Sequence, residues 1–242
     1  MSSGTSSRNV SLQPAFVLHT RPYRDTSLLV EAFSRERGRV GLVARGARSG
    51  KSRLAGLLQP FAPLLLSWRG QGELVTLIGA EADGPALLPP GSSLLSGFYL
   101  NELLLRLLHR GDAHPELHDV YCQTLALLGR GEDEEAVLRR FERLLLQEIG
   151  YGLQLEHEAE SHEPIVAGRR YDYLPERGPV PLIGEPRGVT VHGETLLALA
   201  RDACLDERCR REAKRLMRAA LAVHLGDRPL KSRELYRQQR SL

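Results

Sequence analysis

Apolar and polar positions divide the chain into two halves of different period. In the first half apolar residues come in short runs or alternate, as in half-buried strands. Ala15-Phe-Val-Leu-His19 predicts a first strand, Tyr23-Arg-Asp-Thr-Ser27 breaks it, and Leu28-Leu-Val-Glu-Ala-Phe33 predicts a second. Arg35-Glu-Arg-Gly38 is a turn signal, after which Val40, Leu42 and Ala44 alternate along a third strand. Pro63-Leu-Leu-Leu-Ser-Trp68 and Glu73-Leu-Val-Thr-Leu-Ile78, joined by Gly70-Gln-Gly72, predict a fourth and a fifth. Between the third and fourth, Ser52-Arg-Leu-Ala-Gly-Leu-Leu58 has the composition of a short helix.

Five strands with a helix between the third and fourth follow the element order of an OB-fold barrel. The Pro/Gly-rich stretch Asp83-Gly-Pro-Ala-Leu-Leu-Pro-Pro-Gly91 then reads as a linker, and beyond it the period becomes helical. One helix is expected from Ser92 or Ser93 through Arg110, a second from Pro115 to near Gly129, and a third from Glu134 to Ile149. A fourth covers Glu194 to Ala203, and a fifth runs from Glu207 to Leu225, stopping at Gly226. The segment between Gly150 and Gly193 is rich in Pro and Gly and is expected to be irregular. The fold class expected is therefore α+β: an N-terminal OB-fold barrel, then a mainly α-helical C-terminal domain carrying an irregular insert. The boundaries are a flexible leader over residues 1–13, the barrel over 14–83, the linker over 84–91 and the helical domain over 92–242, with its insert at about 151–193.

Composition supports a packed protein, with 42% hydrophobic and 26% charged residues. A net charge of +3 says little until its distribution is followed. Between Arg21 and Arg53 there are nine Lys/Arg and three Asp/Glu; between Arg201 and Arg240, twelve and six. The intervening stretch, Leu54 to Ala200, carries eleven basic and twenty-one acidic residues. Two basic ends flank an acidic middle, a pattern suited to polyanion contacts. The cysteines are Cys122, Cys204 and Cys209, an odd number without a paired framework, so reduced thiols and a cytoplasmic setting are expected. The polar start lacks the apolar centre of a secretory signal, and no apolar run is long enough to span a bilayer.

Gly46-Ala-Arg-Ser-Gly-Lys-Ser52 falls short of a phosphate-binding P-loop. Three residues, where that motif needs four, separate Gly46 from Gly-Lys-Ser, and Arg45 stands at the required glycine. The same residues suit a basic loop over a barrel face, meeting phosphates as charges without reading bases. The candidate DNA-binding set is Arg45, Arg48, Lys51 and Arg53 in that loop, with Arg21, Arg24, Arg35, Arg37 and Arg39 at the other strand junctions. Tyr23, set between Arg21 and Arg24, is the candidate for stacking on a base, whereas Phe33 and Trp68 lie in strand patterns and suit the core. For any one of these arginines the alternative is an ordinary solvated loop.

His157 and His162 lie in the irregular insert, but there is no C-x-x-C, and Cys204 and Cys209 alone cannot make a tetrahedral site. No Ser, Cys or His has a nucleophile's setting, so neither an enzyme nor a cofactor is expected. In Leu138-Arg-Arg-Phe-Glu-Arg-Leu-Leu-Leu-Gln-Glu-Ile-Gly150, apolar Leu138, Phe141 and Leu145 recur while Arg139, Arg140 and Arg143 occupy other faces. An apolar floor with an Arg rim suits an acidic, hydrophobic peptide, although a core helix with a solvated basic side gives the same pattern.

Together these stretches resemble the bacterial RecO recombination-mediator family. The resemblance is carried by AFVLHTRPYRDTSLLVEAF, GRVGLVARGARSGKSRLAGLLQPFAPLLL, GFYLNELLLRLL, LRRFERLLLQEIGYGLQLE and HLGDRPLKSRELYRQ, which follow one another in the family's order over nearly the whole chain. It implies an OB-fold, a helical C-terminal domain, binding to single- and double-stranded DNA, and annealing of complementary strands in the RecF pathway of DNA repair. It also implies RecR and RecF as partners, the acidic tail of the single-stranded-DNA-binding protein as a ligand, and a nucleoid-associated location. By analogy the tail site falls at Arg139, Arg140, Arg143 and Leu144. Arg210, Arg211 and Arg215, with Lys231 and Arg233 near the C-terminus, are candidates to hold a second DNA strand or dock a partner. Many members of the family carry a four-cysteine zinc module after the GYGLQLE-type segment. This chain has no cysteine there, so it resembles the metal-free branch and no zinc is expected. The competing expectation is a non-enzymatic interaction module whose basic patches bind acidic proteins.

Overall fold

The computed structural model describes residues 9–50, 52–203 and 205–239. Its elements, in chain order, are β1 (Asn9–Tyr23), β2 (Ser27–Ser34), β3 (Gly38–Ala44), α1 (Leu54–Leu57), β4 (Pro63–Arg69) and β5 (Leu74–Ala82). There follow α2 (Ser93–Leu107), α3 (Pro115–Gly129), α4 (Glu134–Glu148), β6 (Arg170–Leu174), β7 (Gly178–Pro181) and β8 (Val189–His192). The chain ends with α5 (Gly193–Ala200), α6 (Glu207–Leu225) and α7 (Lys231–Gln239).

The first five strands close into a barrel in the order β1-β2-β3-β5-β4, with β4 returning to β1 and β3 running parallel to β5. This is the expected OB-fold. β1 pairs with two neighbours because register shifts at Val10/Gln13 and Val17/His19 let it bend. Its start corrects one expectation: Asn9 to Gln13 pair with β4 as strand and are no loose leader, while residues 1–8 lie outside the described residues. Inside the barrel pack Val17, Val30, Ala32, Leu42, Leu66, Trp68 and Val75, closed by Ala47 and Leu58 from the β3–β4 connection.

The unbroken run Ala15-Phe-Val-Leu18 is buried throughout, the mark of a strand covered on both faces. Its outward cover is helical. The Phe16 and Phe33 rings meet Tyr121 of α3 edge-on at 5.1 and 6.4 Å, and Asn101 of α2 donates to the Leu18 carbonyl. Tyr121 donates in turn to Asn101 Oδ1, which closes a buried polar link. Gly97 of α2 lies so close to the Phe61 ring that a Cβ would stand 2.9 Å from it. Consequently the 84–91 segment is not a boundary between compact bodies. One compact unit takes in the barrel, α2 and α3, with the stretch from Leu230 onward; the other is Gly131–Pro229.

In the second unit the insert at 151–193 is irregular as far as Arg169, but three short strands follow that the sequence did not predict. β6, β7 and β8 form an antiparallel sheet in the order β7-β6-β8, with Tyr171, Tyr173 and Val191 buried beneath α5 and α6 residues Leu196, Leu199, Ala213 and Leu216. Polar staples hold it. Asp172 accepts from the backbone N–H groups of Arg187 and Gly188, both at 2.8 Å. Buried Glu212 accepts from the His192 N–H and the Thr195 hydroxyl at 2.9 and 2.6 Å. The helix boundaries follow their caps: Asp133 accepts from Ala136 N–H before α4, and Asp206 from Cys209 N–H before α6.

Two further corrections bear on function. α2 ends at Leu107, so Arg110 stands beyond the helix, its backbone bridging to Arg39 of β3. α7, unsigned by any apolar period, returns to the first unit and lies along α2.

Candidate nucleic-acid interface

The β1–β2 turn and the loop after β3 stand side by side at one end of the barrel. Arg48 N–H donates to Thr26 O at 2.8 Å, and the Arg48 guanidinium reaches Arg24 O and Asp25 O at 3.4 and 3.5 Å. Ala47, 1% exposed, anchors the second loop in the core while Arg45 and Arg48 on either side of it face solvent. A cleft of about 600 Å³ opens here, lined by Tyr23, Arg24, Thr26, Arg45, Gly46 and Thr76 among others. The Arg24 guanidinium lies 5.2 Å from the Tyr23 ring centre, so one face of this tyrosine already carries a cation.

Arg21, Arg24, Arg45, Arg48 and Arg53 are exposed, and none has a carboxylate partner among the described residues. Such charges meet phosphates at little desolvation cost. Lys51 lies outside the described residues. The other junction arginines divide. Arg37 is exposed, but Arg35 is clamped by Asp119 of α3 at 3.0 and 2.9 Å and by Glu36. Hydrogen bonding to Asp119 raises the Arg35 pKa further and pulls that of Asp119 down. Arg39 is largely buried: it donates to Leu105 O and stands 3.7 Å from Glu31, and burial lowers its pKa. Arg35 and Arg39 therefore hold the barrel to α2 and α3, which their sequence neighbourhood did not reveal. Phe33, Phe61 and Trp68 are core residues, leaving Tyr23 as the half-exposed ring of the set.

A wider cleft of about 860 Å³ lies between the β2–β3 and β4–β5 turns, with Val40, Trp68 and Val75 in its wall and Arg37, Arg39 and Arg110 around it. Arg110 was no candidate in the sequence, because the apolar period carried the helix through it.

In the second unit the expected α4 groove does not form as read. Val137, Phe141 and Leu145 make the buried stripe, and Arg139 is itself buried in an ion pair with Glu142. Arg143 donates to both Asp202 oxygens at 2.9 Å, and Arg140 stands 3.3 Å from the same carboxylate. Leu144 is half-buried. The rim is thus largely neutralised, with Arg140 its most exposed member. On α6, Arg210 pairs with Asp133 and Arg211 with Glu207, while Arg215 donates to Thr190 O at 3.2 Å. In α7, Lys231 is exposed and the Arg233 guanidinium lies 5.7 Å from the Tyr99 ring centre.

His157 and His162 are exposed. Among the described residues no group of three or more His, Cys, Asp or Glu is placed to hold a metal ion, and Cys204 lies outside them. No helix of the described residues is long and apolar enough to cross a membrane.

Two family models match the chain on either side of the 84–91 segment, not at the boundary between its compact units. Residues 9–85 match the family model described as "Recombination protein O N terminal", and residues 91–234 the one described as "Recombination protein O C terminal". The DNA repair protein RecO of Nitrosococcus oceani is 54% identical over 234 residues, covering 96% of this chain and 95% of that protein. Those of Alkalilimnicola ehrlichii and Methylococcus capsulatus are each 53% identical, covering 95% and 94% of this chain and 92% and 93% of their own lengths.

Proposed function

Since this chain belongs to the RecO family of recombination and DNA repair proteins, we propose that it acts as a recombination mediator without enzymatic activity of its own. On this reading it binds single- and double-stranded DNA without sequence preference and anneals complementary strands in the RecF pathway. The observation that carries the reading is the set of exposed, carboxylate-free guanidinium groups of Arg24, Arg45 and Arg48 at one end of the closed barrel, with Arg21 and Arg53 exposed and carboxylate-free on the same barrel unit. They can screen a phosphate backbone as charges, an attraction that does not depend on sequence. Annealing needs that: two polyanions must approach each other, and the surface that screens them must leave the bases free to pair.

RecR, RecF and the acidic tail of the single-stranded-DNA-binding protein are the proposed partners, and a nucleoid-associated location goes with them. Within the α4 set, Arg140 is the residue best exposed to meet an acidic tail. On α6, Arg210 and Arg211 are already engaged by carboxylates, which favours Arg215 as the contact to a second strand.

The test is annealing of complementary oligonucleotides coated with the single-stranded-DNA-binding protein, its acidic tail intact or deleted. Fast annealing that needs the tail is the expected result. Annealing of naked strands alone would retain the DNA surface and remove the tail site. Annealing of neither would leave an interaction module as the better account.

A further inference from the structure

The wider cleft holds an arrangement that the loop residues do not explain. Glu31 of β2 stands between two arginines, receiving Arg110 Nη2 on one oxygen and lying 3.7 Å from Arg39 Nε on the other. The three side chains are 14%, 28% and 18% exposed, so two cations share one carboxylate in a half-buried setting. The nearest further carboxylate, Glu73, is 3.9 Å from Arg110 and 90% exposed. The Nε atoms of Arg39 and Arg110 are buried without a hydrogen-bond partner. Glu31 Oε2 is likewise without a hydrogen-bond partner, so the cluster is loosely paired, and two guanidinium groups against one half-buried carboxylate leave it a net positive charge beside the cleft, which suits an anion. Arg37, exposed at the same cleft, adds a third cation, and Gly70 and Gly72 with positive φ leave room for a ligand's backbone to approach.

This cleft borders the one at the basic loops. Both clefts are lined by Val75, at the short parallel seam where Gly41 to Val43 pair with Leu74 to Thr76. From Arg39 to Arg45 the path follows β3 for about 20 Å. That length suits about four nucleotides of extended single strand, the small end of the range for one OB barrel.

We infer that Arg110, positioned by Glu31, binds a nucleic-acid backbone phosphate together with Arg37 and Arg39, forming the far end of a strand path that begins at Arg24, Arg45 and Arg48. The inference rests on the DNA-binding reading above and extends it. Arg110 lies among residues matched by the C-terminal family model, so the barrel matched by the N-terminal model does not hold the complete site. Glu31 is a positioning residue: its charge holds the two arginines in place.

The experiment uses the full chain and a labelled oligothymidylate of about 20 nucleotides, with affinity followed against salt; removing one phosphate-binding charge lowers the slope of log affinity on log salt by about 0.7. Arg37→Gln with Arg110→Gln is expected to reduce the slope by about 1.4, and Arg110→Lys in place of Arg110→Gln to restore most of its share. Melting temperature, read alongside, isolates a merely structural effect: lower stability with an unchanged slope overturns the inference. A second triple variant, Arg24→Gln, Arg45→Gln and Arg48→Gln, separates the two readings. If it loses binding while the cleft variants keep the full slope, the loops stand and the cleft is overturned. If it keeps binding while the cleft variants lose it, the cleft stands and the loop reading falls. Wild-type protein without affinity for the strand overturns both. An Asp/Phe-rich peptide that binds wild type but not the cleft variants, with strand binding equal in both, reassigns the cleft to a protein partner and overturns the inference.

Discussion

His118 shows what a single side chain can reveal when its surroundings are known. Its ring lies 5.3 and 5.4 Å from Phe16 and Phe33, and neither ring nitrogen has a hydrogen-bond partner. Burial lowers its pKa to about 4, opposed by Asp119 beside it. Between about pH 4 and 6.5 the unfolded chain therefore binds a proton that the folded chain refuses, so stability rises with pH across that window. Denaturation midpoints should show it: on going from neutral pH to pH 4, His118→Leu is expected to lose less stability than wild type, by up to about 3 kcal/mol. An equal loss would remove His118 from the account. Arg139 makes a different point at the same scale. Substituting it with Ala removes the buried cation that pairs with Glu142, a cost of about 3–5 kcal/mol, so that variant should report unfolding rather than partner binding. Arg140→Ala is the variant expected to keep wild-type melting while testing the tail site. Neither fact was legible in the sequence, where Arg139 and Arg140 are adjacent and alike; their burial depends on which face α4 turns inward.

Among elements, α4 and α6 were readable because the chain carries their signals locally: Asp133 and Asp206 cap, and Gly150 and Gly226 follow their ends. β6, β7 and β8 were not. They are four or five residues long, β7 contains two prolines, and β6 pairs with β8 across an intervening strand, so no window of sequence held the pattern. α7 was missed for a related reason. It is held by polar contacts with α2: Glu102 accepts from Lys231 N–H, Ser232 N–H and the Ser232 hydroxyl, at 2.9, 2.9 and 2.7 Å. Burial would raise the Glu102 pKa, but these bonds from Ser232 and Lys231 bring it below the ordinary value. With the folded pKa depressed, this contribution is complete above the ordinary carboxylate range and is lost as pH falls through the lowered pKa. Glu102→Gln is expected to cost about 1–3 kcal/mol and to speed amide exchange over Lys231 to Tyr236; unchanged protection there would show that the apolar contacts of Leu230 suffice.

For the whole molecule the chain path matters, because the first compact unit is discontinuous: residues from Leu230 onward return to it after the second unit is complete. Ending the chain at Pro229 is thus expected to lower the melting temperature of the barrel unit by about 5 °C. A truncated protein that melts like wild type would show α7 to be dispensable. The sequence by itself determined the barrel, the helices from α1 to α6 and the family, because alternation, caps and turn residues act over a few neighbours and survive without knowledge of the fold. It also determined that the barrel end of the chain is basic. Tertiary structure alone decided which of those charges remain available. Arg35 meets Asp119 from 84 positions away, Arg110 reaches Glu31 from 79, and Arg24, Arg45 and Arg48 meet no carboxylate among the described residues. A charge's partner is set by where distant segments come to rest, and that follows from the burial of the whole apolar surface rather than from any local pattern.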